Sequence, residues 1–359
     1  MRCFVIAEAG VNHNGDPALA ARLVEVAAKA GADAVKFQTF DPAALARPGA
    51  PKARYQEAAG AGGADQREML AALTLPRAAY AELKATAESH GLVFMSTAFD
   101  EASLRFLAEE LDVARFKIAS GEITNAPLLR AHALYDRPMI LSTGMATLGE
   151  IEFALAVLAH AHLSPAKPPC RREEVLDALG DEAAQAWLAA RVTLLHCVSD
   201  YPAADEILNL RSIPTLKNVF GLPVGYSDHS AGVWAAPAAV ALGAEVIEKH
   251  FTLDRGLPGP DHRASLEPAD LAQMIAGIRT VEKALGKPGK PISPAERATR
   301  RVARRGVVAI RAIAAGEPFT EDNIAVLRPA EGAEPFAYWQ ILGRPAPRAY
   351  APGEPVDSP

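Results

Sequence analysis

The sequence predicts an α/β fold: a (β/α)8 TIM barrel followed by a small, β-rich C-terminal domain. Two observations carry that reading. Eight short apolar stretches in the first 285 residues each run into polar or ionisable side chains, with helix-like segments between them. Beyond residue 286 this rhythm stops and short strands and turns take over. The length of 359 residues suits such a pair, since a barrel of this type takes about 250.

The elements follow in order. FVIAE opens the first unit and ends on Glu8. Asp16 is a good N-cap, with Pro17 at the first helical position. Leu19, Leu23, Val26 and Ala27 mark one helical face, and Gly31 suits the helix end. Lys36 lies in the next strand, ADAVKFQ. Residues 41–64, with the aperiodic run AAGAGGAD, read as a long mobile loop above the barrel, before helices near Gln66–Leu73 and Pro76–His90. LVFMST, RFKIAS and MILST supply three more strands, with helices from Asp100, Asn125 and Thr147; Thr147 opens a capping-box pattern. Residues 160–190 read as an external insertion with a Pro-rich turn and a charged helix. VTLLHC, LPVGYS and EVIEKHF complete the eight, and a helix runs from about Pro268 to Leu285. The expected boundaries are 1–285 for the barrel, 286–300 for a linker and 301–359 for the second domain.

A net charge of −6 argues against nucleic acid or an anionic membrane as partner, so any anionic ligand needs local Lys and Arg. No apolar run is long enough to span a bilayer, and no signal-peptide pattern opens the chain, so a cytoplasmic location is expected. Cys3, Cys170 and Cys197 read as reduced thiols, with Cys3 and Cys197 filling the core.

Chemistry concentrates at the strand ends. His229 and His250 follow consecutive predicted strands and can converge on one ion with open coordination positions. The plain alternative is two histidines bonded to backbone. Lys36 and Lys117 lie inside apolar strands, where an ammonium group needs an anion or serves as a Schiff-base centre. Ser96, Thr97, Ser120, Ser142 and Thr143 add hydroxyls, and Gly121 and Gly144 free nearby backbone N–H groups. Together these make a cradle for phosphate or carboxylate. Glu8 is a candidate base, Glu248 shares a strand face with His250, and Asp261 lies in the turn-rich LPGPDH. No Walker-type or dinucleotide glycine pattern is present.

Nine segments, among them IAEAGVNHNGD, GADAVKFQTF, FKIASGEITNAPLL, LLHCVSDYP, GYSDHS, EKHFTLDR and GPDH, resemble the sialic-acid synthase family. The C-terminal domain is similar to the antifreeze-like SAF domain of those enzymes. The resemblance covers nearly the whole chain. It implies condensation of phosphoenolpyruvate with an open-chain N-acetylmannosamine-type sugar, releasing phosphate. It implies a divalent metal at His229 and His250, Mn²⁺ first, with Mg²⁺ or Co²⁺ as alternatives. Glu8, Lys36 and Lys117 are the implied catalytic residues. Lys36, Thr97, Lys117, Ser120, Ser142 and Ser227 would hold phosphoenolpyruvate; Ser199, Tyr201, Glu248 and Asp261 would face the reacting ligands. Arg328 of the RP motif would reach the sugar of a partner barrel in a homodimer. Members often carry Asn in place of Ser199 and Gly in place of Ala330. Arg304 and Arg305 are both candidates to approach the phosphate. The segment APKARYQ resembles members making legionaminic-type acids from a 2,4-diacetamido-trideoxy sugar, which stands as the alternative substrate. Outside this family, a metal-dependent barrel hydrolase or isomerase and a non-catalytic carbohydrate- or ice-binding protein compete, but neither needs two lysines within strands.

Overall fold

The computed structural model describes residues 2–58 and 62–359, so residues 59–61 of the Ala/Gly run lie outside the described residues. The chain divides into two compact units, one ending at Gly286 and the other beginning at Lys287. The first is a closed barrel of eight parallel strands in sequence order. They are β1 (Phe4–Gly10), β2 (Ala34–Thr39), β3 (Val93–Ala98), β4 (Phe116–Ile118), β5 (Met139–Ser142), β6 (Val192–Cys197), β7 (Val224–Asp228) and β8 (Val246–His250). β8 closes on β1 with Glu8 opposite His250.

Strand alternation sorts the side chains. Ile6, Ala34, Met95, Ile140, Leu195 and Val246 pack together as an apolar plug in the lumen. Two residues further along the same six strands stand Glu8, Lys36, Thr97, Ser142, Cys197 and Glu248, all lining one cavity. One period of the pleat thus converts a packed core into a polar floor. Residues of opposite parity, such as Val5, Ala7, Val35 and Phe37, face the surrounding helices and form the main core.

The helices start where the caps are. Asp16 accepts from the Ala18 N–H at 2.8 Å, and Gly31 ends that helix at φ +83°. Thr147 and Glu150 form a reciprocal capping box. Three segments differ from expectation. Residues 41–64, expected as a loop, hold the short helices Pro42–Leu45 and Arg54–Ala58. Residues 160–190 are not an external insertion: Val175, Ala184, Trp187 and Leu188, from helices Arg172–Asp177 and Glu182–Arg191, belong to the barrel core. Trp187 also donates to Asp136 at 2.6 Å and stacks on His162. Charges at Arg171–Glu174 and Glu182 mask that apolar face in the sequence. The expected linker also contains a helix, Pro294–Ala303, capped by Ser293 with Glu296, and no residue of it is buried.

The second unit pairs β9 (Gly306–Ala309) antiparallel with β10 (Ile324–Leu327). Its core holds Val307, Ile313, Phe319, Ile324, Ile341 and Tyr350. Arg328 is exposed just past β10. Among the described residues no helix is long and apolar enough to cross a membrane.

His132 is fully buried, its Nδ1–H donating to Leu128 O at 2.8 Å and its ring edge-on to Phe116. Burial lowers its pKa from 6.5 to about 4. The unfolded chain therefore takes up this proton first as pH falls below 6.5, so stability is complete above that value and drains away toward pH 4. The slope contributed is at most about 1.4 kcal/mol per pH unit. Urea denaturation at pH 7 and 5 should show a smaller loss in His132→Leu than in the parent, and equal losses would remove His132 from the acid response.

Candidate active site

The cavity at the C-terminal ends of the strands has a volume of about 670 Å³. Its floor is a buried charge cluster. Lys36 Nζ lies 2.6 Å from Glu8 Oε2 and 3.4 Å from Glu248 Oε2, and Lys117 Nζ lies 3.4 Å from Glu248 Oε1. Lys36 also donates to Thr97 Oγ1 at 3.1 Å. β1, β2, β4 and β8 each supply one of the four charges, so closing the barrel assembles the cluster.

The two carboxylates are unlike. Burial pushes Glu8 up to about 7, with only Lys36 opposing it closely. Burial also acts on Glu248, but Lys117, Lys36 and the Ser227 hydroxyl outweigh it and hold the group below the usual carboxylate range. Among the lysines, Lys36 is raised because Glu248 and Glu8 overcome its burial, whereas burial lowers Lys117. Glu8 is thus the group able to gain and lose a proton near neutrality, and Glu248 the fixed anion.

Above the floor stand His229 and His250, ring centroids 5.7 Å apart. His229 Nδ1 donates to Val198 O at 2.5 Å, which leaves Nε2 as an acceptor. Ser227 Oγ lies 3.2 Å from it and donates to Glu248 Oε1 at 2.8 Å. The Nε2 lone pair thus faces the cavity side shared with Ser227 and Tyr201. His250 Nδ1 is buried without a hydrogen bond and lies 3.9 Å from Asp261 Oδ2. Burial lowers both imidazoles, His229 to about 4, so both are neutral at pH 7. Burial raises Asp261 to about 6. Two neutral imidazoles, one of them with a buried nitrogen that has no hydrogen bond, beside a carboxylate fit a divalent cation. Among the described residues no set of three His, Cys, Asp or Glu forms a complete metal cluster, so water and substrate oxygens would supply the remaining ligands. Gly10 keeps this corner open: at φ +54° it tolerates a conformation hostile to side chains, and a Cβ there would lie 3.4 Å from the His250 ring.

A second cluster lies across the cavity. Ser120 Oγ accepts from the Gly144 N–H at 2.9 Å and lies 3.2 Å from Cys197 Sγ. Ser199 lines the same side, and Tyr201 packs its ring 4.2 Å from that of His229. The rim is apolar, formed by Val11, Leu45, Met69, Leu70, Leu73 and Phe99, with Arg54, Gln56 and Gln66 beside it.

Every barrel residue that the family resemblance assigns to the site lines this cavity, whereas Arg304, Arg305 and Arg328 belong to the other unit. Three of the hydroxyls and imidazoles read at the strand ends do not. Ser96 bonds Thr39 Oγ1, Thr143 bonds Leu195 O, and His196 turns outward to Leu208 O and stacks on Tyr226. Strand parity explains His196: its neighbour Cys197 takes the inward position. Sequence reading missed Gln38, which donates to Glu8 Oε1 at 3.4 Å and sits two residues from Lys36, a parity signal that was available.

Residues 23–290 match the NeuB family, and residues 304–357 match the SAF domain. The chain is 43% identical over 353 residues to the N,N'-diacetyllegionaminic acid synthase of Campylobacter jejuni, covering 98% of each chain. It is 42% identical to the enzyme of the same name from Legionella pneumophila, over 96% of this chain and 90% of that one. The crystal structure of the N-acetylneuraminic acid synthetase of Leptospira borgpetersenii, in complex with citrate, superposes with a TM-score of 0.65 at 33% identity, covering 83% of this chain and 90% of that one.

Gly144 is the tightest point of the second cluster. A Cβ there would lie 2.9 Å from both Ser120 Oγ and Cys197 Sγ and would press on Ser199 Oγ. Gly144→Ala should cost about 1–3 kcal/mol in chemical denaturation and weaken any anion bound by Ser120. Retention of parental stability and anion affinity would show that the cluster has slack.

Proposed function

The chain belongs to the NeuB family, and we propose that it condenses phosphoenolpyruvate with an open-chain 2-acetamido sugar to form a nonulosonic acid, releasing phosphate. The observation that carries this reading is the pair of buried lysines beneath two neutral imidazoles in one cavity. Buried cations of this kind suit a small, highly anionic substrate. A hydrolase or isomerase built on the imidazoles alone would leave them unused.

Lys36 and Lys117 bind the negative charge of phosphoenolpyruvate, with Thr97, Ser120, Ser142 and Ser227 donating hydrogen bonds around it. The C=C π electrons of phosphoenolpyruvate form a bond from its methylene carbon to the aldehyde carbon of the sugar, the aldehyde C=O π bond breaks and its oxygen takes up a proton, and the water that adds later returns one. Water then adds at the electron-poor C2, and the C2–O bond to phosphate breaks, leaving a 2-keto acid. Glu8, near 7, carries a proton on its carboxyl through this exchange, and the fixed charge of Glu248 offsets the positive charge developing at C2. Tyr201, Ser199 and Asp261 orient the acceptor. A divalent cation, Mn²⁺ with Mg²⁺ or Co²⁺ as alternatives, would be held by His229 and His250 and would polarise the aldehyde oxygen as a Lewis acid.

The rim favours a particular acceptor. Met69, Leu70, Leu73 and Phe99 offer an apolar wall that suits a terminal methyl group and acetamido methyls better than a hydroxymethyl. The two synthases of 43% and 42% identity are N,N'-diacetyllegionaminic acid synthases. The acceptor assigned is therefore 2,4-diacetamido-2,4,6-trideoxymannose, with N-acetylmannosamine as the poorer substrate. A homodimer is part of this reading, with Arg328 of one subunit reaching the acceptor held by the other.

Incubation with phosphoenolpyruvate, Mn²⁺ and either sugar, followed by assay of phosphate and 2-keto acid, should give faster turnover with the diacetamido sugar. No product from either overturns the assignment; a preference for N-acetylmannosamine overturns only the acceptor. Arg328→Ala should raise the KM for the sugar by about tenfold or more while leaving that for phosphoenolpyruvate within about twofold. An equal change in both counts against a sugar contact.

A further inference from the structure

Behind the two imidazoles lies an ion pair that does not line the cavity. Asp228 sits between Ser227 and His229, Lys249 between Glu248 and His250, and the two are register partners across β7 and β8. Both are completely buried, with Lys249 Nζ 3.0 Å from Asp228 Oδ2. Strand alternation turns them to the opposite side of the wall from their four neighbours, all of which line the cavity.

The pair also grips the backbone just beyond His229. Lys249 Nζ donates to Ser230 O at 2.5 Å and reaches Ser230 Oγ at 3.3 Å. Asp228 Oδ1 accepts from the Ser230 N–H at 2.9 Å and from the Tyr226 hydroxyl at 3.3 Å. Ser230 in turn pairs with Ala203, whose N–H donates to His229 O at 2.9 Å. That bridge continues into the segment carrying Val198, the partner of His229 Nδ1, and Tyr201, whose ring packs on His229.

We propose that the Asp228–Lys249 pair is the positioning device of the cation site, fixing the spacing and tilt of His229 and His250 from behind the barrel wall. It touches neither imidazole and no substrate. It ties β7 to β8 at the register step directly preceding both ligands, and it locks Ser230 so that His229 cannot swing with its loop. An Asn–Met pair of similar volume would fill the space and could still accept from the Ser230 N–H, but would lose the ammonium's hold on Ser230 O and the charge that joins the two strands. The inference rests on the reading of His229 and His250 as the cation's ligands.

The test uses Asp228→Asn with Lys249→Met, which removes both charges and leaves neither stranded. Mn²⁺ affinity by titration calorimetry should fall about tenfold or more, the scale expected of groups that orient ligands. Phosphoenolpyruvate binding measured without metal should stay within about twofold, the circular dichroism spectrum should be unchanged, and kcat should fall more than KM rises. Lys249→Arg, which keeps the charge, should recover most of the Mn²⁺ affinity. If the folded double variant binds Mn²⁺ as the parent does while His229→Ala does not, the positioning role is overturned and the ligand reading stands. If His229→Ala also binds like the parent, both fall. Should the double variant not fold, Tyr226→Phe, which deletes one hydrogen bond to Asp228 and no charge, carries the test: about threefold weaker Mn²⁺ binding supports the role, and unchanged binding overturns it.

Discussion

The cluster of Lys36, Glu8, Glu248 and Lys117 is the constraint on which the rest of the barrel mouth depends. Four ionisable groups occupy a lumen in which each is at least 96% buried. Taking one ion from water into such a place costs several kcal/mol, recovered only if its partners are fixed at close range. Removing any one member would strand the others, at about 3–5 kcal/mol by the usual behaviour of buried pairs. β1, β2, β4 and β8 must therefore keep their register to within a hydrogen bond. The apolar plug one pleat below meets the same demand from the other side, since a slip of one residue would trade Ile6 for an outward-facing neighbour and break both layers together.

The same cluster gives its members different chemical characters. Glu248 is shared by two lysines and a serine hydroxyl, and stays charged. Glu8 has Lys36 at close range and hovers near neutrality. An incoming anion that draws on Lys36 weakens the interaction keeping Glu8 ionised, so binding and protonation are coupled by geometry. Glu248 would feel the same loss, but it begins much lower and keeps its charge. Two carboxyl groups on neighbouring strands are thus separated into a proton carrier and a fixed counter-charge by the number of cations each one touches.

Much of this was legible in the sequence because a strand advertises its parity. Glu8, Lys36, Lys117, Glu248 and His250 are costly residues in apolar runs, and cost is visible. Gln38 has the right parity, but an amide in a strand raises no alarm. His196 closes the run VTLLH, but parity gives the inward place to its neighbour Cys197. The burial of Lys249 was hidden for another reason. Its parity is outward, and whether an outward position faces solvent or packed helices depends on tertiary contacts that β8 alone does not encode. The helix carrying Trp187 was obscured in the same way, because its core side is only Ala184, Trp187 and Leu188, a short apolar face within a charged and alanine-rich stretch. Arg328 belongs to a unit with its own core, so no periodicity within the barrel refers to it.

Floor and rim of the cavity obey different rules. Floor residues are set by strand register, and changing one disturbs several strands at once. The rim is built from the loop after β2, the helix Gln66–Ala72 and the turn after β3, where substitutions move only local contacts. Anion binding and proton transfer therefore belong to the rigid part, and the choice of acceptor to the part that can vary without cost to the barrel. The apolar character of Met69, Leu70, Leu73 and Phe99 is informative for that reason. Met69 and Leu73 are buried with Val11 and Phe40, and Leu45, Leu70 and Phe99 pack against them, so the rim has a small apolar core of its own. That core, and not the lumen, holds the apolar wall at the cavity mouth. On the proposed reading, a sugar bearing methyl groups where others carry hydroxyls would meet that wall, so its affinity would come from the rim while its reactivity would be governed by the floor.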